Sequence, residues 1–431
     1  MNSKKLNTLI LLSILAFSFF THFIYLSYPS EVVFDEFYFG KFGSYYISKT
    51  PYFDIHPPLG KLMLGLSAKL FNISPTCNFE DIGARCDSYI FFALRFMPAL
   101  FGVLTTLVLY FLVKTLTKSN KKGLLAAFLF SLSNIFLLQS RHIQIDIFLI
   151  FFGILAIYLF LKAKTTKHQL LYFLLSALSA GACISVKWTG ISFVAFIGFL
   201  WLLELLEEKI KFKKFIFIAG IFACSILFIY LTQFYIHFLL IPGGGQVDLF
   251  LGQDFQELPF LEKISVINAR MFTANTNMPH EHPYSSKFYQ WPLMHKKILY
   301  WRTNDSKLQI TSAGNPVLWF LSSTAMLLAF ISIFYKRLRQ EIYENERVFF
   351  FIIIGFVMGM LPYIVIKRAT YVYHYFPSYL FSIINLTIFM FWIKKHKQVV
   401  FWLTIILIIL GFITISPQTY GFKPLIPYIK P

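Results

Sequence analysis

Hydrophobic stretches long enough to cross a membrane recur along this chain from Leu6 to Ile415. The connections between them alternate in character. One set is short and rich in lysine, whereas the other is longer and holds most of the carboxylates, histidines and proline-containing motifs. Short basic connections mark the cytoplasmic side of a membrane. The pattern therefore predicts a polytopic membrane protein whose polar motifs face the opposite, outer side.

The composition places the chain outside the range of soluble globular domains. Of its 431 residues, 57% are hydrophobic and only 14% are charged, and the mean hydropathy is +0.65. A formal charge of +19 would suit a nucleic-acid-binding protein. Much of that excess lies in short connections beside predicted spans, where membrane topology accounts for it. We therefore expect the lipid bilayer as a partner and no nucleic acid.

Membrane-spanning helices typically need roughly 17–25 mostly apolar residues, and the sequence contains eleven apolar runs close to this length. With the N-terminus inside, this odd number puts the C-terminus outside. The first run is interpreted as an uncleaved anchor, because no small-residue cleavage site follows it. We predict an all-α polytopic membrane protein, a single integral membrane domain over residues 1–431, with longer outer segments at 27–88 and 242–316. The predicted spans are Leu6–Leu26, Tyr89–Val113, Leu124–Leu138, Ile145–Leu161, Leu170–Val186, Ile191–Leu206, Phe215–Ile241, Val317–Tyr335, Val348–Ile366, Phe376–Ile393 and Val399–Ile415.

The first outer segment carries two adjacent carboxylates soon after the first span. Asp35 and Glu36 stand among Phe34, Phe37 and Tyr38. They could form a solvated helix start, which the helix dipole favours. The alternative is a general base that takes a proton from a hydroxyl group, with the aromatic surroundings restricting its solvation.

A second motif in the same segment is rigid. Two prolines follow the histidine in Asp54-Ile55-His56-Pro57-Pro58, and they cannot continue a helix after it. The motif is either a structural loop or a loop that positions substrate at the mouth of a cavity.

Cys77 and Cys86 lie nine positions apart in this segment, where an outer compartment permits disulfides. A disulfide is predicted, with two free thiols as the alternative. His280 and His282 have the spacing of metal ligands, but one neighbouring glutamate makes this weak evidence. We predict no metal site and no cofactor.

Several charged residues lie inside or at the ends of predicted spans, where a charge is costly and usually has a partner or a function. Arg95 either snorkels to lipid headgroups or offers its guanidinium to a lipid-linked phosphate. Arg141 and Asp146 flank the turn between spans three and four, as an ion pair or as part of a site. Lys187 and Trp188 end the fifth span, where both residue types commonly anchor helices.

These residues belong to a series of short motifs that follow one another along the chain. They are Asp35-Glu36, Phe39-Gly40-Lys41-Phe42, Asp54-x-His56-Pro57-Pro58-Leu59-Gly60-Lys61, Arg95-Phe96-x-Pro98-Ala99, Ser140-Arg141 to Asp146, Ser185-Val186-Lys187-Trp188-x-Gly190, Tyr235-Ile236-His237-Phe238, His282-Pro283-Tyr284-Ser285-Ser286, Trp291-Pro292-Leu293, Gly314-Asn315-Pro316-Val317-Leu318-Trp319 and His374-Tyr375-x-Pro377. Together they resemble the dolichyl-phosphate-mannose protein mannosyltransferases, the PMT family of GT-C glycosyltransferases. The resemblance covers nearly the whole chain and implies the GT-C fold. Eukaryotic members carry MIR β-trefoil domains between spans seven and eight, where residues 242–316 are too few, so the chain resembles a MIR-less bacterial type.

The resemblance implies inverting transfer of mannose from a polyprenyl or dolichyl-type phosphate mannose to Ser and Thr hydroxyls. The acceptors would be secreted or membrane proteins at the outer face of a bacterial cytoplasmic membrane. In this reading Asp35 deprotonates the acceptor, Glu36 helps to hold acceptor or base, and Arg95 holds the phosphate. No metal is required, because arginine can meet the phosphate charge. The remaining candidates are His374 and Arg141 for the donor lipid phosphate, and Asp54, His56, Asp146, Lys187 and Trp188 for positioning the substrate.

Two other functions stay open at this point. A related GT-C enzyme could move another sugar, such as aminoarabinose, to a lipid acceptor, although the PMT-type motifs argue against it. A flippase or transporter of lipid-linked sugar would need polar residues through the span centres, and the predicted spans contain few.

Overall fold

The computed structural model describes residues 3–74, 76–241 and 251–423, and most of these residues are helical. Strands β1 (Leu299–Arg302) and β2 (Gln309–Thr311) form an antiparallel hairpin. Short 3-10 helices occur at Trp188–Gly190, Gln253–Glu257, Phe288–Leu293 and Val372–Tyr375. The α-helices are α1 (Ser3–Phe23), α2 (Glu36–Ser48), α3 (Leu59–Leu70), α4 (Ser88–Thr117), α5 (Asn120–Ser131), α6 (Asn134–Arg141), α7 (Asp146–Ala163), α8 (Gln169–Val186), α9 (Ile191–Leu206), α10 (Phe212–Leu240), α11 (Phe260–Thr276), α12 (Pro316–Ser332), α13 (Lys336–Ile342), α14 (Glu346–Met360), α15 (Pro362–Val365), α16 (Phe376–His396) and α17 (Gln398–Tyr420).

Within the described ranges, nine helical segments are long and apolar enough to cross a membrane, and the bent pair α5–α6 would raise this to ten. Each predicted span coincides with one of these elements or with α12, an apolar helix of 17 residues. The prediction of a polytopic, largely helical membrane protein is confirmed. The predicted count of eleven requires α12 to cross as well, and it stays a prediction.

The third predicted span, Leu124–Leu138, is not one straight helix. α5 and α6 differ in direction by 63° across a break after Ser131. At this break the buried side-chain amide of Asn315 donates to the carbonyl of Leu132 at 3.2 Å. Because an unpaired carbonyl is costly inside a membrane, this hydrogen bond stabilises the turn within the bundle.

The helices differ widely in how much of their surface the protein covers. The segment containing α16 is 78% buried and therefore lies at the centre of the bundle, whereas α10 is only 11% buried despite its strong hydrophobicity. A helix that is apolar on all sides can be buried in protein or exposed to lipid. We therefore interpret α10 as a peripheral, lipid-facing helix.

The two segments predicted to lie outside contain their own short elements. In the first, α2 packs on α3 and α3 packs on α4, with buried residues such as Phe39, Leu64 and Leu94. A disulfide joins Cys77 and Cys86 in this segment. The second contains α11 and the β1–β2 hairpin, and its residues 242–250 lie outside the described part of the chain. The hairpin was not anticipated from the sequence, because its strands are only four and three residues long.

The two ends of the bundle differ in the charged residues that they carry. The site face is the end that carries Asp35, Asp146 and Lys187, at the starts of α2 and α7 and just after α8. The basic face is the opposite end, where α7 finishes and α14 begins, with Lys164 and Arg347.

Candidate active site

The chain enters α2 through a strained turn that separates two neighbouring carboxylates. Phe34 has a φ of 49°, in the left-handed region, which costs a bulky residue about 1–3 kcal/mol. Its amide donates to the carbonyl of Tyr300 at 3.0 Å, and the two rings stack with centroids 4.2 Å apart. Asp35 follows at the cap position of α2, but its side chain makes no capping hydrogen bond. The turn therefore leaves the Asp35 carboxyl group free of the helix.

Glu36 faces the interior of the protein. It is fully buried, and its two carboxylate oxygens accept from Nε and Nη2 of Arg95 at 2.7 and 2.8 Å. The amides of Val33 and Ile143 donate to the same carboxylate at 3.0 and 2.9 Å. With four donors and no exposed surface, Glu36 can hold the backbone next to Asp35, but it has no room for an acceptor substrate.

Arg95 is fully buried as well. Besides Glu36, its guanidinium donates to the carbonyls of Leu26, Pro29 and Glu31 at 3.1, 3.0 and 3.3 Å. These contacts contradict the expectation that Arg95 is available to a donor phosphate. The physical reason is that a buried carboxylate needs a buried cation, and the sequence does not show that Glu36 is this partner.

The Asp35 carboxyl group has an unusual electrostatic environment, although it keeps partial exposure. Burial raises its pKa to about 7, the ammonium group of Lys187 opposes this, and the carboxylates of Asp146 and Asp54 raise it further. A group with a pKa near the working pH can both accept and release a proton at low cost. Asp35 is therefore suited to general base chemistry.

Asp54 and His56 belong to a loop that is closed by a lysine. The ammonium group of Lys61, itself buried, donates to Asp54 Oδ2 at 2.5 Å and to the carbonyls of His56 and Pro57 at 2.5 and 2.7 Å. Burial, with the charges of Lys187 and Lys61, holds the pKa of His56 well below its usual value. His56 is therefore a neutral imidazole, and the Asp54 carboxylate is engaged in an ion pair with Lys61.

Asp146 and Lys187 form a second buried ion pair on the site face. Lys187 Nζ lies 2.8 Å from Asp146 Oδ1, and Gln139 donates to the other oxygen at 3.0 Å. Gln139 in turn accepts from the hydroxyl of Tyr300 at 2.8 Å. This network connects the ends of α7 and α8 to the residue that stacks on Phe34, next to Asp35.

Arg141 is not part of this network. Its guanidinium donates to the carbonyls of Thr21, His22 and Tyr25 at 2.9, 2.7 and 3.0 Å, and it lies over the ring of Tyr420. Of the two alternatives for Arg141 and Asp146, the ion pair does not form, because Asp146 pairs with Lys187. A phosphate contact is not available to a side chain that is buried as Arg141 is. Arg141 instead satisfies the last carbonyls of α1, which have no partner within that helix.

His374 lies in a cluster of aromatic rings. The Tyr371 amide donates to its Nδ1 at 2.9 Å, so the neutral imidazole carries its proton on Nε2. The ring centroids of Tyr373 and Tyr363 are 4.6 and 4.9 Å from that of His374. The Nε2–H group is therefore an oriented hydrogen-bond donor.

Arg368 lies close enough to His56 for its charge to lower the pKa of that imidazole, and it was not among the residues predicted from the sequence. It is half-buried, and among the described residues no carboxylate pairs with it; its guanidinium contacts the sulfur of Met278 at 2.9 Å. Burial raises the pKa of the Tyr371 hydroxyl, Asp35 raises it further, and Arg368 lowers it. The sequence did contain an indication of a role for Arg368. Lys367 and Arg368 lie in a connection predicted to be outside, whereas membrane topology accounts only for basic residues in cytoplasmic connections.

The candidate residues thus separate into three groups. Glu36, Arg95 and Arg141 hold the framework, and Trp188 packs in a separate cluster, where its indole donates to Tyr230 at 2.9 Å. The residues that the structure brings together on the site face are Asp35, Asp54, His56, Asp146, Lys187 and His374, joined by Lys61, Tyr300 and Arg368.

The arrangement of helices is shared with solved membrane proteins. A chain of the S. cerevisiae protein O-mannosyltransferase Pmt1–Pmt2 complex bound to the sugar donor matches with a TM-score of 0.87 at 17% identity, covering 98% of this chain and 91% of that chain. ArnT from Cupriavidus metallidurans bound to undecaprenyl phosphate matches with a TM-score of 0.60 at 10% identity, covering 94% and 63%. The chain is therefore a polytopic membrane protein with the GT-C fold.

Two family models match this chain and identify its family within the GT-C fold class. The model described as dolichyl-phosphate-mannose-protein mannosyltransferase matches residues 12–241, more than half of the chain. A second model, the C-terminal four TMM region of protein-O-mannosyltransferase, matches residues 260–428. The chain belongs to the dolichyl-phosphate-mannose-protein mannosyltransferase family.

Curated relatives agree with this membership. Dolichyl-phosphate-mannose--protein mannosyltransferase 6 of Candida albicans is 29% identical over 323 residues, which cover 65% of this chain and 38% of the relative. The protein of the same name from Saccharomyces cerevisiae is 34% identical over 245 residues, covering 54% and 32%. The chain spans about a third of the length of these relatives.

Proposed function

We propose that this protein transfers mannose, with inversion, from a polyprenyl phosphate mannose to Ser or Thr hydroxyls of proteins. The observation that carries the proposal is Asp35, a carboxyl group whose pKa is raised by burial to about 7, in the part of the chain that matches the family model. The related proteins are named for dolichyl-phosphate mannose, and the Pmt1–Pmt2 structure contains a sugar donor.

The chemistry requires one base and one leaving group. The acceptor oxygen attacks the anomeric carbon of mannose while its proton passes to the Asp35 carboxylate. The bond between that carbon and the phosphate oxygen breaks, and polyprenyl phosphate leaves with the electron pair. A phosphate is a stable anion, so its departure needs a cation rather than a general acid.

The charges of the site face suit such an anion. The pairs Asp54–Lys61 and Asp146–Lys187 are each neutral overall. Arg368 remains as a half-buried positive charge on the site face, where its charge and that of Asp35 both act on the Tyr371 hydroxyl. A guanidinium can bind two phosphate oxygens at once. In this proposal Arg368 holds the donor phosphate, the Nε2–H group of His374 assists, and no metal ion is needed.

Replacing Arg368 by glutamine is expected to weaken donor binding roughly 10- to 100-fold, because a hydrogen bond to a charged group is worth about 1.5–3 kcal/mol. The measurement is the affinity for polyprenyl phosphate mannose in detergent or nanodiscs. Lys367→Gln is the matched control. It also removes one positive charge, but from the exposed side chain that immediately precedes Arg368. An equal loss of donor affinity in both variants would mean that Arg368 contributes only to the overall positive charge and does not contact the phosphate.

A cleft of about 1050 Å³ with both polar and apolar lining residues offers a route for the acceptor. It opens between the first predicted outer segment and the hairpin, and its lining includes Glu31 from the segment and Arg302 from the hairpin. Tyr300 also lines it and stacks on Phe34, which precedes Asp35. In this proposal an extended acceptor polypeptide lies in the cleft and presents its hydroxyl group to Asp35, while the lipid donor comes from the bilayer.

We also propose that the site face is extracytoplasmic, as in a bacterial inner membrane, because the basic connections lie at the opposite end. Cysteines introduced at Lys307, exposed on the hairpin, and Lys121, exposed near the start of α5, test this in a Cys224→Ser background. A membrane-impermeant maleimide should label position 307 and not 121 in intact cells. Labelling of position 121 alone would reverse the orientation.

The function as a whole is tested with purified protein, polyprenyl phosphate mannose that is radiolabelled in the sugar, and a Ser/Thr-rich peptide. Label should appear in the peptide and not in a matched peptide with alanine at every Ser and Thr. Label transferred to a lipid would instead indicate the lipid-acceptor alternative. Donor that crosses liposomes without any transfer would indicate a flippase.

A further inference from the structure

A groove of about 570 Å³ lies on the basic face, at the far end of the bundle from Asp35. It is bounded by α4, α7, α9 and α14. α7 begins at Asp146 in the candidate active site and reaches the groove 15 positions later, at Leu161. The groove is therefore separated from the site face by nearly the full length of a membrane-spanning helix, and it is no part of the site described above.

The walls and the rim of this groove differ in chemistry. The walls are apolar side chains from four helices, among them Leu116, Leu161, Leu200 and Ile354. Charged side chains gather at the rim, where the helices end. They are Lys164, Lys209 and Arg347, with Glu204 and Glu207.

The rim has a net positive charge. Lys164 pairs with Glu204 and Lys209 pairs with Glu207, which leaves Arg347 without a carboxylate partner among the described residues. The Arg347 side chain is exposed. Burial lowers the pKa of Lys164, Glu204 opposes this, and Lys209 and Arg347 lower it further. The rim cations are thus close enough to repel one another, and an added anion would relieve that repulsion.

We infer that this groove binds an anionic phospholipid, with an acyl chain against the apolar walls and the phosphate at Arg347. Basic pockets between spanning helices bind the headgroups of anionic lipids, and this groove combines such a basic rim with apolar walls. A zwitterionic lipid brings its own cation to a rim that already has an excess of positive charge. Free phosphate would leave the apolar walls without an occupant.

The bound lipid has a structural consequence. It fills the space between the ends of α7, α9 and α14, and the opposite ends of α7 and α9 adjoin Asp146 and Lys187. Because packed helices transmit displacements along their length, we expect the lipid to stabilise the helices that carry this ion pair.

The experiment compares delipidated, purified full-length protein in phosphatidylglycerol and in phosphatidylcholine nanodiscs. Wild-type protein is expected to unfold at a temperature several degrees higher in phosphatidylglycerol. Native mass spectrometry should show one phosphatidylglycerol molecule retained, with roughly tenfold weaker retention for Arg347→Gln. Arg337→Gln is the matched control, because Arg337 lies on the neighbouring α13 and is 95% exposed away from the groove.

A second variant tests the walls independently. Leu200→Trp fills the groove from a half-buried position, and it should abolish lipid retention while the protein remains folded. Equal stabilisation by both lipids, equal loss in Arg347→Gln and Arg337→Gln, unchanged retention in Leu200→Trp, or the same stabilisation by inorganic phosphate would each overturn the inference. These readouts involve no mannose transfer, so they are independent of the proposed function.

Discussion

Replacing Asp35 by asparagine is expected to lower the rate of mannose transfer roughly 10²–10⁴-fold, the usual contribution of a general base. Asparagine keeps the shape of the side chain and removes its ability to accept the hydroxyl proton. Donor affinity should change little, because the carboxylate acts on the acceptor. The measurement is single-turnover transfer to a Ser/Thr peptide, together with donor binding by the same preparation.

The pH dependence provides a second readout of the same group. The base must be ionised, and the folded-state pKa of Asp35 is about 7, so kcat/KM should fall about tenfold per pH unit below 7 and level off above it. The small residual activity of Asp35→Asn should not show this fall below pH 7. If Asp35→Asn protein transfers mannose at nearly the wild-type rate, the base is another group, and Asp54 becomes the next carboxylate to test.

Replacing Arg95 by alanine is expected to cost about 3–5 kcal/mol of stability, because it leaves the carboxylate of Glu36 buried and unpaired. It also removes the donors that hold the carbonyls of Leu26, Pro29 and Glu31. The measurement is the free energy of unfolding in detergent, or the yield of folded protein where unfolding is irreversible. Arg85→Ala is the matched control: Arg85 pairs with Glu31 but is 86% exposed, and such pairs contribute about 0–1 kcal/mol.

A double variant separates this structural role from a role in donor binding. Adding Glu36→Gln to Arg95→Ala removes the uncompensated charge, so the double variant should be more stable than Arg95→Ala. A phosphate-binding arginine would not show this coupling. If Arg95→Ala folds with wild-type stability and loses only donor affinity, then Arg95, and not Arg368, is the phosphate ligand.

Much of the architecture was predictable because it depends on local properties of the sequence. A run of apolar residues has to be helical in a bilayer, since only a helix satisfies its own backbone there. Each predicted span therefore coincides with a helix, including α5–α6 and α12. The bend between α5 and α6 was not predictable, because the hydrogen bond donated to Leu132 at that bend comes from Asn315, 183 positions away.

The candidate site was predictable only in part. The motif pattern led to Asp35, Asp54, His56, Asp146, Lys187 and His374, which the structure brings to one face. It also led to Arg95 and Arg141, since a charge near a bilayer needs a partner or a function. Which of these two applies depends on packing. Arg95 pairs with Glu36 and also donates to carbonyls in the chain after α1, whereas Arg141 donates to carbonyls at the end of α1 and just after it.

The sequence alone determined that this protein is a multi-helix membrane protein, which of its segments carry the polar motifs, and that two carboxylates adjoin the first span. The tertiary structure alone decided that Asp35, and not the ion-paired Glu36, has a carboxylate available to act as a base. Glu36 meets Arg95 across 59 positions of sequence, and Asp146 meets Lys187 across 41. Hydrophobicity and loop charge are properties of neighbouring residues. The pairing of buried charges depends on distant ones, because a charge in a low-dielectric interior is stabilised by whichever opposite charge the fold brings within contact.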